Sequence, residues 1–139
     1  MKKLIISICV IFVILSMAAG YVTIKLINRP QIRPFEGVDT DSVTKIQINS
    51  VGKTIITKDK SKILDIMCYL KSLKLYKRSN GNVPNTSPDA WIIVIDENGL
   101  VKNIDIYGEV ARISPDGQDG YTVPTSLYHD LEDLCEKYK

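Results

Sequence analysis

The stretch Trp91-Ile92-Ile93-Val94-Ile95 decides the predicted fold. It is a continuous apolar run, rich in β-branched side chains, as is typical of a strand that is covered on both faces or nearly so. Asp96-Glu97-Asn98-Gly99 follows, and its glycine can supply the positive φ of a short hairpin turn. We therefore expect residues 91–95 to form the central strand of an antiparallel sheet.

Alternation of apolar and polar residues predicts the neighbouring strands. Residues 100–107 alternate in this way after the turn. Residues 43–49 do the same, and the turn at Ser50-Val51-Gly52 leads them into a second strand at residues 53–57, as in a β-hairpin. Short strands are also predicted at residues 109–114 and 120–123.

Two amphipathic helices complete the domain. Asp59 can cap a helix over residues 60–74, and a second helix is expected over residues 125–138. Their apolar stripes are Ile63, Ile66, Met67, Leu70 and Leu73 in the first helix and Leu127, Leu131, Leu134, Cys135 and Tyr138 in the second. The order β-β-α-β-β-β-α predicts an α+β domain with about five strands and with both helices on one face of the sheet.

The helical phases of the cysteines predict that they do not pair. Cys68 lies on the side of the first helix away from the apolar stripe, whereas Cys135 lies within the stripe of the second helix. Both are therefore expected to be free thiols. The remaining cysteine, Cys9, belongs to an apolar N-terminal segment.

That N-terminal segment is residues 4–24, twenty-one residues without a charge. As a helix it would be ~31 Å long, so it predicts a single transmembrane helix. Lys2, Lys3 and the small residues near Ala18 also fit a cleaved signal peptide. The retained anchor is favoured because apolar residues continue to Ile27. We expect an anchor or signal peptide at residues 1–27, a linker at 28–42 and an extracytoplasmic domain at 43–139.

Charge is segregated within the domain. Residues 43–78 contain nine Lys or Arg and two Asp, a net charge of +7, whereas residues 79–139 have a net charge of −7. One interpretation is that the two halves pack together and neutralise each other. The other is that a basic face binds anionic lipid headgroups or wall polymers.

No catalytic or metal-binding motif emerges, and neither a cofactor nor nucleic acid is predicted to bind. His129 has no recognisable partner, and the cysteines lack zinc-site spacing. Two polar loops at residues 79–89 and 118–121 are instead the predicted contact surface for an envelope protein or wall polymer. Their candidate binding residues are Asn80, Asn82, Asn85, Asp89, Gln118, Asp119 and Tyr121. The alternative is a secreted or tethered hydrolase that uses carboxylates such as Asp89, Asp96 or Asp116.

The pattern resembles small membrane-anchored or exported domains of unknown function from Gram-positive bacteria. The resemblance rests on the hairpin at residues 43–57, the helix at 60–74, the run from Trp91 to Gly99, and Gly120-Tyr121-Thr122-Val123-Pro124 before a terminal helix. It implies a location at the cell envelope and a fold type. It implies no activity.

Overall fold

A computed structural model describes residues 11, 13–18, 20, 30–78, 81–115, 117 and 120–139 of the chain. The chain divides into two compact units, Met1–Pro30 and Gln31–Lys139. Residues 11, 13–18 and 20 of the first unit are helical. Among the described residues, no helix is both long enough and apolar enough to cross a membrane. The predicted transmembrane helix is therefore unsupported, and most of its span, residues 4–24, lies outside the described residues.

In the second unit, the described residues form one antiparallel sheet of eight strands and two helices. The strands are β1 (Gln31–Ile32), β2 (Val43–Ser50), β3 (Lys53–Thr57), β4 (Leu75–Lys77), β5 (Ala90–Asp96), β6 (Gly99–Tyr107), β7 (Val110–Ser114) and β8 (Gly120–Thr122), and the helices are α1 (Lys60–Ser72) and α2 (Leu127–Lys137). Their order across the sheet is β1-β4-β8-β7-β6-β5-β2-β3. The prediction of about five strands is wrong.

The sequence pattern did not predict two short strands, β1 and β4. They contain two and three residues, too few for a period of two to be recognised. Ile32 pairs with Leu75, which places β1 at one edge of the sheet. Phe35, in the segment predicted to be a linker, is fully buried in the core, and Val38 is also buried. Residues 31–42 therefore belong to the folded unit and are not a free tether.

The core lies between the sheet and the two helices. Buried side chains alternate along the strands, for example Ile46 and Ile48 in β2 and Ile104 and Ile106 in β6. Helix α1 contributes its predicted stripe, and Asp59 caps it by accepting hydrogen bonds from the N–H groups of Ser61 and Lys62. The predicted cap and the predicted core faces of both helices are confirmed.

The two helices lie antiparallel beside each other. Tyr69, near the end of α1, donates a hydrogen bond to Asp130 at the start of α2, while Lys137 at the end of α2 contacts Asp65. Cys68 is exposed and Cys135 is buried, and both are free, as predicted.

Strand β5 differs from its predicted role as the doubly covered central strand. Ala90, Ile92 and Val94 are buried, whereas Trp91, Ile93 and Ile95 are half-buried. Strand β5 lies between β6 and β2, with β3 as the edge strand beyond β2. The helices cover the face that contains Ile92. The other, helix-free face contains Trp91 and its cross-strand neighbours.

Candidate functional site

The connection from β4 to β5 joins two strands that are not neighbours in the sheet. Strands β8, β7 and β6 lie between β4 and β5. The backbone register places Gly120 opposite Arg112 and Arg112 opposite Asp105, in the same cross-strand row as Trp91. A Cβ atom built on Gly120 would be 3.3 Å from the backbone oxygen of Gly81. The connection therefore approaches the helix-free face at Gly120.

This arrangement brings the two predicted contact loops together. The backbone N–H of Arg78 donates to the carbonyl oxygen of Gly120 at 3.2 Å, immediately before the first loop begins. We call residues 81–89 together with Gly120 and Tyr121 the loop surface. Three other residues that were predicted as contacts, Asn80, Gln118 and Asp119, lie outside the described residues.

The remaining predicted contact residues occupy different environments. Asn82 and Asn85 are exposed, and they are therefore accessible to a partner. Tyr121 is half-buried in β8, where it pairs with Lys77 and Ala111. Its ring packs against the core.

Asp89 anchors the far end of the loop. Its Oδ2 atom accepts a hydrogen bond from the backbone N–H of Gly108 at 2.8 Å and lies 3.4 Å from the hydroxyl of Tyr128, which donates to it. Burial, followed by the nearby charge of Asp89, raises the pKa of the Tyr128 phenol, which keeps this donor protonated. The Asp89 carboxylate holds a loop, a hairpin turn and the start of α2 together.

A cleft of about 290 Å³ lies where α1 ends and α2 begins. Its walls come from the end of α1, from β4 and from the segment that leads into α2. The lining residues are Tyr69, Ser72, Leu73, Lys74, Tyr76, Pro124 and Asp130. It was absent from the sequence analysis because its walls come from segments far apart in the chain. The sequence signal for the cleft was a pair of aromatic residues outside the apolar stripe of α1, namely Tyr69 and Tyr76.

Asp130 and Tyr69 form the polar centre of the cleft. The Tyr69 hydroxyl donates to Oδ2 of Asp130 at 3.1 Å. Burial and the Asp130 charge raise the pKa of Tyr69 well above its usual value, so the phenol remains a donor at neutral pH. The hydroxyl of Ser72 donates to the Tyr69 carbonyl at 2.7 Å, which satisfies one of the carbonyl groups in the last turn of α1.

The cleft and the loop surface lie along the same two strands. Tyr76 of β4 pairs with Thr122 of β8, and Lys77 pairs with Tyr121. Arg78 then bonds to Gly120, beside Gly81. Two residues along an antiparallel strand span about 7 Å, so the distance from Tyr76 to Arg78 along β4 is short.

The carboxylates proposed for hydrolysis do not meet in this cleft. Asp130 supplies the carboxylate among its lining residues. Asp89 is held by Gly108 as described, and Oδ1 of Asp96 accepts from the N–H of Asn98 at 2.7 Å in the hairpin turn. Asp116 lies outside the described residues. Within the described part of the chain, no group of three or more His, Cys, Asp or Glu side chains could hold a metal ion.

No family model matches the chain, and no curated protein matches it. The chain is similar to the crystal structure of a "putative lipoprotein" from Clostridium perfringens, a Gram-positive bacterium. The two chains are 23% identical, the match covers 68% of this chain and 82% of the other, and the TM-score is 0.40. A likeness this distant carries no argument about function.

Proposed function

We propose that this chain is a binding module of the cell envelope that recognises a protein or polymer partner through the loop surface. The observation that carries the proposal is the junction of the two loops, in which Arg78 bonds to Gly120 and Gly81 lies against Gly120. Two separate polar segments thereby become one surface. Asn82 and Asn85 are exposed on it, and their amides both donate and accept hydrogen bonds.

The location at the envelope is supported by the N-terminal sequence. Lys2 and Lys3 followed by a long uncharged, apolar run are the features that export machinery reads. The proposal requires the chain to be exported or associated with the envelope. Recovery of the untagged chain in the cytosolic fraction of gently lysed cells would contradict it.

Photo-cross-linking in cells tests the binding role. A photoreactive residue at Asn82 should capture a partner, whereas one at Glu97, exposed in the β5–β6 turn, serves as the matched control. The double substitution Asn82→Ala and Asn85→Ala should weaken recovery of the same partner at least tenfold. Because both side chains are exposed, the melting temperature should not change. Equal capture from both positions, or unchanged recovery by the double variant, would overturn the proposal.

A further inference from the structure

The cleft combines hydrogen-bonding groups of both kinds with aromatic rings. Lys74, an exposed side chain, supplies N–H donors, and Asp130 supplies acceptors. The tyrosines at positions 69 and 76 also line it. One Lys and one Asp leave the lining without net charge. Asp130 would repel a strongly anionic ligand, and Lys74 would repel a strongly cationic one. The lining therefore favours a polar ligand without net charge.

Asp130 is oriented for a ligand that carries hydroxyl groups. Its Oδ2 accepts a hydrogen bond from the Tyr69 hydroxyl at 3.1 Å, and its second carboxylate oxygen, Oδ1, has acceptor capacity of its own. A carboxylate oxygen is a strong acceptor, and a bond to a charged acceptor is about twice as strong as one between neutral groups. A ligand hydroxyl is a suitable donor because it brings no charge of its own.

The surroundings of the cleft argue against a peptide ligand. An extended peptide adds to a free strand edge, but β4 is hydrogen-bonded to β1 on one side and to β8 on the other. An amphipathic helix needs a long apolar groove, whereas Leu73 and Pro124 are the aliphatic side chains in this lining. The volume of about 290 Å³ is just below the range for small-molecule sites, roughly 300–1,000 Å³, and suits a ligand of one small ring.

We propose that the cleft binds one neutral sugar residue of an envelope glycan. The apolar face of the sugar ring lies against a tyrosine ring, one hydroxyl donates to Oδ1 of Asp130 and another accepts from Lys74. This inference rests on the proposed binding function and names the ligand class.

Isothermal titration calorimetry on the full chain in detergent tests the inference. The probes are chitotetraose and maltotetraose, with tetra-alanine as the peptide comparison. At least one glycan should bind saturably, and Asp130→Asn should raise its Kd at least tenfold. Asp133→Asn, an exposed change three residues further along α2, is the matched control and should leave Kd unchanged. Because Asp130→Asn alters the bond with Tyr69, Lys74→Ala provides a second variant, expected to raise Kd severalfold without changing the melting temperature.

The outcomes separate this inference from the proposed function. Absence of saturable binding by both glycans, or equal effects of the Asp130 and Asp133 variants, would overturn the glycan site. Tighter binding of tetra-alanine, lost in Asp130→Asn, would show a peptide site in its place. In each of these cases partner capture at Asn82 would still support the proposed function. Equal capture from Asn82 and Glu97 would instead contradict the proposed function.

Discussion

The strands toward the two edges of the sheet differ in length and in how they are connected. Toward one edge the strands are long: nine residues in β6, seven in β5, eight in β2 and five in β3. Hairpin turns join β5 to β6 and β2 to β3. We call these four strands the long-strand flank. On the other side β1, β4 and β8 contain two, three and three residues and pair only with strands distant in sequence or with β7. We call them the short-strand flank.

The difference locates the candidate site. The long-strand flank is packed under α2, where Cys135 and Ser50 approach backbone oxygens of the neighbouring element. The strands of the short-strand flank contain few residues, and this flank borders both the cleft and the loop surface. Binding regions commonly lie on loops supported by a rigid scaffold. In this domain the long strands form the scaffold, and the short strands position the loops.

The largest expected effect tests whether the short-strand flank depends on residues 31–42. Phe35→Ala should lower the free energy of unfolding by ~3–5 kcal/mol, because it removes a fully buried aromatic side chain and leaves a cavity. Urea denaturation of the full chain measures this. Leu64→Ala, at a position on α1 that is 58% exposed, should change the stability by less than ~0.5 kcal/mol. Similar effects of the two substitutions would mean that this segment is not part of the core.

A stabilising substitution is expected in the long-strand flank. Val51 has a φ of 48° and Gly52 a φ of 77°, so both turn residues of the β2–β3 hairpin are left-handed. A β-branched residue is strained in this conformation, whereas Asn adopts it readily. Val51→Asn should raise the free energy of unfolding by ~1 kcal/mol, measured by urea denaturation. Val51→Thr keeps the β-branch and should give no such gain; an equal gain would contradict the strain argument.

At the short-strand flank, Tyr69→Phe tests the contact across the cleft. It removes the hydroxyl that donates to Asp130 and should cost ~1 kcal/mol, the usual net value of such a hydrogen bond. Thermal unfolding measures the loss, and Tyr76→Phe, at a side chain that is 37% exposed, is the comparison. If Tyr69→Phe is neutral, Asp130 does not depend on Tyr69 for its position.

The smallest effect is expected from the ion pairs at the long-strand flank. Lys53 Nζ lies 2.7 Å from the carboxylate of Glu132 and also contacts Glu136. These two contacts join β3 to α2. They show that at α2 the basic and acidic halves of the domain do pack together. The side chains are only partly buried, and pairs that water can reach are screened by water and salt. Lys53→Met should therefore reduce stability slightly at low salt and not measurably at 1 M salt.

The same variant gives a pH test with a definite sign. The hydrogen bond and charge of Lys53 lower the pKa of Glu136 below its ordinary value of 4.5. Stabilisation from this depressed pKa is present above pH 4.5 and is lost as the pH falls through the lower folded-state value. Lys53→Met should thus lose less stability than the parent chain between pH 6 and pH 3. Parallel curves for the two proteins would show that the pair contributes nothing.

The sequence by itself determined the elements that local chemistry specifies. Alternation revealed β2, β3 and β6, the 3.6-residue period revealed both helices, and Asp59 marked the start of α1. The same periodicity placed Cys68 outside and Cys135 inside. The polar stretch at residues 79–89 also identified Asn82 and Asn85 as loop residues, and both are exposed in the structure.

Only the tertiary structure decided how the short-strand flank and the cleft are assembled. Strands β1 and β4 exist because Ile32 pairs with Leu75 and Lys77 with Tyr121, and two or three residues have no periodicity of their own. Phe35 looked like a linker residue because Pro30, Pro34 and Gly37 surround it, yet burial in the core overrides that local signal. Tyr69 and Asp130 become neighbours because the helices pack antiparallel, a long-range geometry that no local pattern of residues specifies.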